Sequence, residues 1–414
     1  MLTFVYFAYS MLALLLETSS AFKDTWVESL EDLARYDMIV EENIRVRENW
    51  TKVARNWYNK AADNNSIVDH LYHHLVIVAS SHSLQQLSLY TWSLTCITFF
   101  ESARDSIITF FNFFLSKKKS TSDRSSSIES VLIKTHEILS CDKSVVEFEA
   151  VIHQIRDDLL DNYIKSVTIK FKTQEVFMTV ANIAALFEYE STDSSKSIFR
   201  LAFQEISIIK TEKIDFNHQQ SRSTLKSLTF LEIESSWKII CLALQLTFIT
   251  FSIILQRVDD ENMFLCVHVL LLLVWSLTNI EKAITIVEKD ILWRQICSFL
   301  NTLAKHEAMT SKIYADVFFK QKSDRSLSEN FVVRDQMYSS WYYFKAWFEN
   351  ANIDEEKRLL KLSFTTASRV KRILWLEICI ASIRSTFSQY EKIALTYFSL
   401  IDEYVMTRSL QRFK

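Results

Sequence analysis

The sequence predicts an all-α protein, a multi-helix bundle or helical array of long, roughly antiparallel helices with Ser-rich connections. Three observations support this fold class. The 414 residues include no glycine and no proline. Apolar side chains recur at three- and four-residue steps along much of the chain, as in amphipathic helices. Segments rich in serine separate these periodic stretches.

The absence of glycine and proline favours helices over sheets. Tight β-hairpin turns depend on glycine at positive φ, whereas a helix uses glycine only as a favoured C-cap. An average chain of this length would contain about 50 residues of these two types. So large a gap indicates a composition that was restricted by construction or by strong selection. It also excludes glycine-rich phosphate loops, the dinucleotide-binding fingerprint and the serine nucleophile elbow.

The remaining composition limits the classes of partner and cofactor. Apolar residues make up 49% of the chain, which predicts a large core or membrane contact. The net charge of −3 gives no general attraction to nucleic acid, so no nucleic-acid partner is expected. The cysteines contain no CxxC pair, so a thiolate metal site or redox motif is not predicted and no cofactor is assigned. They are Cys96, Cys141, Cys241, Cys266, Cys297 and Cys379.

Residues 1–21 allow two interpretations. The first 16 residues carry no charge, and Ser19-Ser20-Ala21 resembles a small-residue cleavage site, so the segment resembles a secretory signal peptide. A secreted or membrane-associated protein would follow. The n-region lacks a basic residue, however, because the first one is Lys23. The alternative is an apolar N-terminal helix that packs in the core of a soluble protein.

Helical regions follow this segment and are separated by polar stretches. Within the first region, residues 24–62 are predicted to form one strong amphipathic helix. Serine, aspartate and asparagine make turns by bonding to nearby backbone, so Ser-rich breaks are expected at 116–127, 190–197, 217–224 and 321–330. The predicted regions are an N-terminal one at 22–116, a central one at 128–320 and a C-terminal one at 331–414.

The central region contains the most apolar part of the chain, residues 237–277. Two apolar segments, 237–255 and 263–277, flank the polar turn QRVDDEN. A membrane helix needs about 20 apolar residues, so the first segment is long enough and the second is slightly short. The pair is either a helical hairpin that crosses a membrane or two antiparallel helices at the centre of a soluble bundle. The sequence alone leaves both interpretations open.

One acidic motif points to metal chemistry. Asp157, Asp158 and Asp161 form a DDxxD pattern, and carboxylates one helical turn apart can hold a hard cation. The motif resembles the aspartate motif of class I terpenoid and prenyl-diphosphate synthases. That resemblance covers these residues alone and implies a site where Mg²⁺ holds a diphosphate. The alternative is an exposed acidic face, because the three aspartates lie about 150° from the apolar stripe through Ile152 and Ile155.

A histidine-rich segment offers a second candidate metal site. His70 and His74 lie one helical turn apart, a spacing that lets two imidazoles share one Zn²⁺. No third ligand can be assigned from the sequence. The alternative places these histidines at the edge of an apolar face centred on Leu71, Leu75 and Val78.

A basic stripe near the C-terminus lies close to a group of aromatic residues. Its members are Arg358, Lys361, Arg369 and Arg372. Such surfaces bind anionic lipid or single-stranded nucleic acid. Neighbouring acidic residues dilute the charge, so a solvated helix face is expected instead. The aromatic residues, which include Tyr338 and Tyr342, are expected to pack in the core.

Three functional hypotheses follow, and none assigns a specific biochemical activity. The first is an artificial or composition-restricted helical scaffold without an evolved active site. The second is a membrane-associated or secreted helical interaction protein, with 237–277 as the candidate membrane contact. The third is a Mg²⁺-dependent diphosphate-processing enzyme that uses Asp157, Asp158 and Asp161. The sequence favours a protein that is not an enzyme, and it leaves the oligomeric state open.

Overall fold

The computed structural model describes most of the chain between residues 2 and 384. The described residues are 2–19, 22–64, 70–79, 83–96, 102–120, 128–141, 144–166, 168–189, 199–203, 230–306, 328–334, 336–340, 342–343 and 366–384. The predicted linkers at 190–197 and 217–224, and most of the predicted C-terminal region, lie outside this part.

The protein is an all-α helical array, as predicted, and the described residues include no β-strand. The longer helices of the N-terminal half are α1 Leu2–Thr18, α2 Lys23–Val40, α3 Ile44–Asn64, α4 His70–Val78, α5 Ser83–Thr95, α6 Ser102–Ser120, α7 Ile128–Ser140, α8 Val145–Gln154, α9 Leu160–Ser166 and α10 Thr168–Leu186. They are followed by α11 Phe230–Leu255, α12 Phe264–Thr278, α13 Glu281–Val287, α14 Trp293–His306, α15 Ser328–Val332 and α16 Thr366–Arg384. Short turns of other helix types include a π-helical turn at Ile155–Leu159.

The described helices form two hydrophobic cores that meet at α5. The smaller core joins α2, α3, α4 and one side of α5, and α1 packs against it. The larger core joins the other side of α5 to the helices from α6 to α16. Leu89 and Trp92 belong to the small core, whereas Leu87 and Leu94 belong to the large one. Helix α5 therefore connects the two cores.

The prediction of one helix over 24–62 was wrong, because the chain breaks at Glu41–Asn43 into α2 and α3. Glu41 has extended backbone, with φ −71° and ψ 123°. Its side-chain Oε1 accepts a hydrogen bond from the Asn43 amide at 2.9 Å, and Asn43 Oδ1 accepts one from the Arg45 amide at 3.0 Å. Such side-chain bonds compete with helical ones and start a new helix. The break lets α3 fold back along α2.

Helix α12 is the central helix of the large core. All its side chains are buried except that of Trp275, which is half-buried. It packs against α10, α11, α16 and the 3₁₀ turn Met337–Ser339. Its polar side chains bond to these neighbours: His268 Nε2 lies 2.7 Å from the Tyr342 hydroxyl, and the Ser276 hydroxyl donates to the Tyr338 carbonyl. A helix that is apolar all round thus has protein on every side.

Candidate functional site

Helix α1 has two apolar faces, and the inner one is built into the small core. Val5 is buried, and Tyr9 packs its ring edge-on against Trp50 of α3, with ring centroids 5.1 Å apart. Trp57 Nε1 also donates a hydrogen bond to the Tyr9 hydroxyl at 2.9 Å. An edge-to-face aromatic pair and a satisfied indole N–H hold α1 along the α2–α3 pair.

The second face of α1 is apolar and turned to solvent. We call this the outer face, and its residues are Phe4, Phe7, Met11 and Leu14. Their side chains are between 50% and 73% exposed. Steps of three, four and three residues place them in one row along the helix. Scattered apolar residues are normal on a protein surface, whereas a continuous apolar row is a candidate interaction surface.

The outer face has a polar margin on one side. Thr3, Ser10 and Glu17 follow one another at seven-residue steps, and all three are exposed. The Ser10 hydroxyl is bonded to the Tyr6 carbonyl of its own helix at 2.9 Å, so it adds little polarity. Glu17 is the only charged residue of α1. The outer surface is therefore an apolar row with a weakly polar edge.

The predicted magnesium ligands lie on and beside the π-helical turn. Asp157 is exposed, and the side chain of Asp158 lies outside the described residues. The Asp161 carboxylate is engaged by two cations, accepting hydrogen bonds from Arg257 of the turn after α11 and, at 2.5 Å, from Lys165. These hydrogen bonds, from Lys165 first and Arg257 second, hold the pKa of Asp161 below its usual value. Here the carboxylate attaches α9 to the end of α11.

The π-helical turn shifts the apolar stripe of this segment. Phe148, Ile152 and Ile155 are buried, as the sequence predicted. A π turn adds one residue to the helical repeat, so a residue five positions after Ile155 returns to the same face of the helix. That residue is Leu160, which is completely buried. The same shift brings Asp161 within reach of Arg257.

Of the two predicted zinc ligands, the structure describes the side chain of His74, which packs on the small core. The side chain of His70 is outside the described residues. His74 packs edge-on against Tyr58 at 5.6 Å between ring centroids, and His73 lies 5.9 Å from Tyr90. Within the described part of the chain, no three His, Cys, Asp or Glu side chains come together as a metal site. The magnesium and zinc sites both stay predictions.

A buried polar network crosses the large core between α7, α10 and α11. His136 Nε2 lies 3.1 Å from Asn182 Oδ1, and its Nδ1 contacts the Tyr189 hydroxyl. Asn182 Nδ2 donates to Thr250 Oγ1 at 3.0 Å. Since burial lowers the pKa of His136 to about 4, the ring is neutral at pH 7. A neutral ring donates once and accepts once, so Nε2–H donates to Asn182 and the Tyr189 hydroxyl donates to Nδ1.

This network is suited to holding the core in one arrangement. All of its side chains are buried, and Thr250 in turn donates to helix carbonyls at Leu246 and Thr247. Each donor and acceptor of the imidazole is therefore occupied by protein. Fully satisfied buried networks of this kind specify a unique packing. The sequence analysis missed it, since a lone histidine on α7, an asparagine on α10 and a tyrosine just after α10 leave no local signal.

The expected solvated face of α16 was also wrong. Arg369 and Arg372 are completely buried, and Arg372 Nη1 donates to Asn330 Oδ1 at 2.5 Å. Tyr343 donates to the same Asn330 oxygen at 3.0 Å. The aromatic residues Tyr338 and Tyr342 are buried in the core, as predicted. Arg358 and Lys361 lie outside the described residues.

Two buried carboxyl groups have strongly raised pKa values. Glu377 of α16 is 3% exposed, and burial raises its pKa to about 8. Glu31 of α2 is buried beside Tyr58, and burial, with help from the nearby charges of Asp32 and Glu28, raises its pKa to about 8. Among the described residues, none donates a hydrogen bond to Glu31 Oε2 or to Glu377 Oε1. Both groups are protonated for the most part at pH 7.

The apolar hairpin at 237–277 is mainly part of the large core. Two segments, Trp237–Leu255 and Glu261–Thr278, are apolar and long enough to cross a membrane by length and composition, which is weak evidence when so few helices qualify. The protein buries 56% of the first segment and 83% of the second. The core helix of a soluble protein satisfies the same criteria. Helix α1, by contrast, carries several large apolar side chains that are exposed.

The chain matches no protein-family model and none of the curated protein sequences.

Proposed function

We propose that this chain is a membrane-associated helical protein that binds a lipid surface through the outer face of α1. The observation that supports the proposal most directly is the row of four large apolar side chains, each at least half exposed, on a helix with one charged residue. Burying such a side chain in an apolar phase contributes about 1.5–3 kcal/mol when complete. Four of them supply enough free energy for reversible membrane binding.

A bilayer fits this face better than a protein partner does. The first 16 residues carry no charged side chain, so no such charge in this segment opposes entry into the apolar layer. Protein interaction patches usually have a polar rim on all sides. Among the residues of α1, one margin of the row is polar, and its single charge is Glu17 at the end of the helix. The apolar row is otherwise continuous over three helical turns.

Vesicle flotation with the purified full-length chain tests this proposal. An outer-face variant carries Phe4→Ser, Phe7→Ser, Met11→Ser and Leu14→Ser. A matched control carries Ile39→Ser, Ile44→Ser, Phe113→Ser and Val146→Ser at exposed apolar positions elsewhere. We expect the wild type and the control to float with phosphatidylcholine vesicles. The outer-face variant should lose at least about 100-fold in partitioning, since about 3 kcal/mol or more is removed. Equal flotation of wild type and outer-face variant would contradict the proposal.

The composition-restricted scaffold remains a second candidate, and one observation favours it. Glu188 and Tyr189, just after α10, both have positive φ angles, 60° and 46°. Glycine is the residue that usually ends a helix in this conformation. A chain that uses glutamate and tyrosine there behaves like a sequence from which glycine was withheld. The two proposals are compatible, because the first concerns binding and the second concerns origin.

The diphosphate-processing hypothesis receives less support from the geometry. Asp161 is bonded to Lys165 and Arg257, and a cation at this carboxylate would have to displace both. Asp157 is exposed to solvent, whereas a ligand of a diphosphate site would line a cavity.

A further inference from the structure

We infer that α1 lies in the plane of the membrane, along one leaflet, and does not span the bilayer. This inference rests on the proposed lipid binding of the outer face and specifies its geometry. Length alone would permit a span: 17 residues at about 1.5 Å each extend about 25 Å, close to the hydrocarbon thickness. The orientation is decided by what α1 is attached to.

The inner face fixes α1 to the α2–α3 pair near its middle. Tyr9 lies halfway along α1, and both Trp50 and Trp57 of α3 contact it, one through the ring edge and one through the hydrogen bond. Val5 is buried one turn before Tyr9, and Leu16 packs on the small core near the far end. The attachment therefore extends over most of the helix, and α1 cannot tilt away without losing it.

A spanning α1 would carry α2 into the hydrocarbon with it. Helix α2 packs along α1 and is far too polar to cross a membrane. Its ionisable residues are Lys23, Asp24, Glu28, Glu31, Asp32, Arg35 and Asp37, of which Glu31 is mostly protonated at pH 7. Helix α3 packs along α2 in turn and has exposed Arg45, Glu48 and Lys52. Charged side chains at the bilayer centre are strongly unfavourable, so the attached unit excludes the spanning orientation.

The outer surface of α1 also suits an in-plane helix. The apolar row and the margin of Thr3, Ser10 and Glu17 both run parallel to the helix axis. When α1 lies flat, the row enters the boundary between head groups and acyl chains, by about 5–10 Å, while the margin stays at the level of the head groups. The small core, with its charged surface, then remains in water above α1.

Depth-dependent fluorescence quenching distinguishes the two orientations. A fluorophore is placed at one outer-face position at a time through a non-natural amino acid, because exposed Cys141 and Cys241 would react with a thiol label. Quenching is measured in vesicles whose lipids carry bromine at defined acyl positions. The labelled positions are all exposed, so the fold is unchanged. A label at exposed Val146 serves as the control and should not be quenched.

An in-plane α1 predicts the same shallow depth at positions 4, 7, 11 and 14. A spanning α1 predicts a depth that changes by about 15 Å between positions 4 and 14, since the rise is about 1.5 Å per residue. A gradient of that size, with vesicle flotation intact, overturns the in-plane geometry but leaves lipid binding standing. Failure of the wild-type chain to float overturns lipid binding and the in-plane geometry together.

Discussion

At the level of single residues, Glu188 and Tyr189 show that the lack of glycine leaves strained backbone at a turn. For a residue with a Cβ atom, the left-handed conformation costs roughly 1–2 kcal/mol. Tyr189 is held there because its hydroxyl donates to the buried His136. Glu188 has a positive φ of 60° immediately before it. The turn thus stores backbone strain that the buried network offsets.

We predict that glycine at position 188 relieves this strain. Glu188→Gly and Glu188→Ala delete the same carboxylate, so their difference in stability reports the backbone alone. The Gly variant should be more stable than the Ala variant by about 1 kcal/mol, measured by urea unfolding. Equal stabilities would show that position 188 does not hold a left-handed conformation in solution.

The buried carboxyl group of Glu377 predicts that the stability of the protein depends on pH. Its pKa is raised from 4.5 in the unfolded chain to about 8 in the folded protein by burial. The folded state therefore binds the proton more tightly, and this residue's contribution to stability falls as pH rises from about 4.5 to about 8. The slope is at most about 1.4 kcal/mol per pH unit.

Glu377→Gln keeps the size of the side chain and removes the titration. The unfolding free energy of the wild type should decline relative to this variant between pH 5 and pH 8, and the two curves should run parallel above pH 9. Curves that stay parallel throughout would mean that the Glu377 carboxyl is not buried as described. Asp157→Asn, at an exposed carboxylate, provides the control for a charge change alone.

At the level of helices, the π-helical turn determines what the acidic motif does. The turn places Leu160 in the core and directs Asp161 to Arg257. The carboxylate thereby connects the segment from α8 to α9 with the end of α11. Asp161 is a partly exposed group, so its ion pairs contribute modestly.

We predict that Asp161→Asn lowers the unfolding free energy by up to about 1 kcal/mol at pH 7. Asp157→Asn should leave it unchanged, since that side chain is exposed. The pKa of Asp161 is lowered in the folded protein. The contribution of Asp161 to stability is therefore complete above the pKa of this group in the unfolded chain. It disappears as the pH falls through the lower pKa of the folded protein. If Mg²⁺ stabilised the wild type but not Asp161→Asn, the magnesium hypothesis would be supported instead.

Helical periodicity was enough to predict the fold class, but not the break at Glu41–Asn43 or the burial of Arg369 and Arg372. The break depends on side-chain bonds at Asn43, which compete with a helix that the apolar pattern would continue. The arginines look solvated in sequence because periodicity does not show that a helix is surrounded on all sides. The sequence analysis did not predict the outer face of α1. A helix that is apolar on two faces has the same apolar composition as a signal peptide, so the sequence does not show which face is exposed.

At the level of the whole molecule, the apolar residues of the large core and those of the outer face of α1 lie in two different environments. The first are buried and the second are exposed to solvent. Helix α12 is enclosed by α10, α11 and α16, so its apolar surface stabilises the fold. The outer face of α1 contributes nothing to either core. The proposed membrane contact is therefore assigned to α1, whereas residues 237–277 lie mainly in the interior of the protein.

The buried polar network around His136 in the large core gives a prediction about stability. His136→Leu leaves the Tyr189 hydroxyl and Asn182 Oδ1 without their partner in a fully buried site. Each unsatisfied group costs about 1–3 kcal/mol, so we expect a loss of about 3 kcal/mol in the unfolding free energy. Lipid binding by the folded His136→Leu protein should be unchanged, because α1 belongs to the other core. A loss of flotation at a temperature where the variant remains folded would contradict that separation.

Fractionation of cells that express the chain tests most directly whether α1 or the 237–277 hairpin makes the membrane contact. The cells are lysed without detergent, and the wild type and the outer-face variant are separated by ultracentrifugation into membrane pellet and supernatant. We predict that the wild type sediments with the membranes and that the outer-face variant, with 237–277 intact, moves to the supernatant as a helical protein. An outer-face variant that stays in the pellet and is released only by detergent would contradict this, and would identify 237–277 as a hairpin that crosses the membrane.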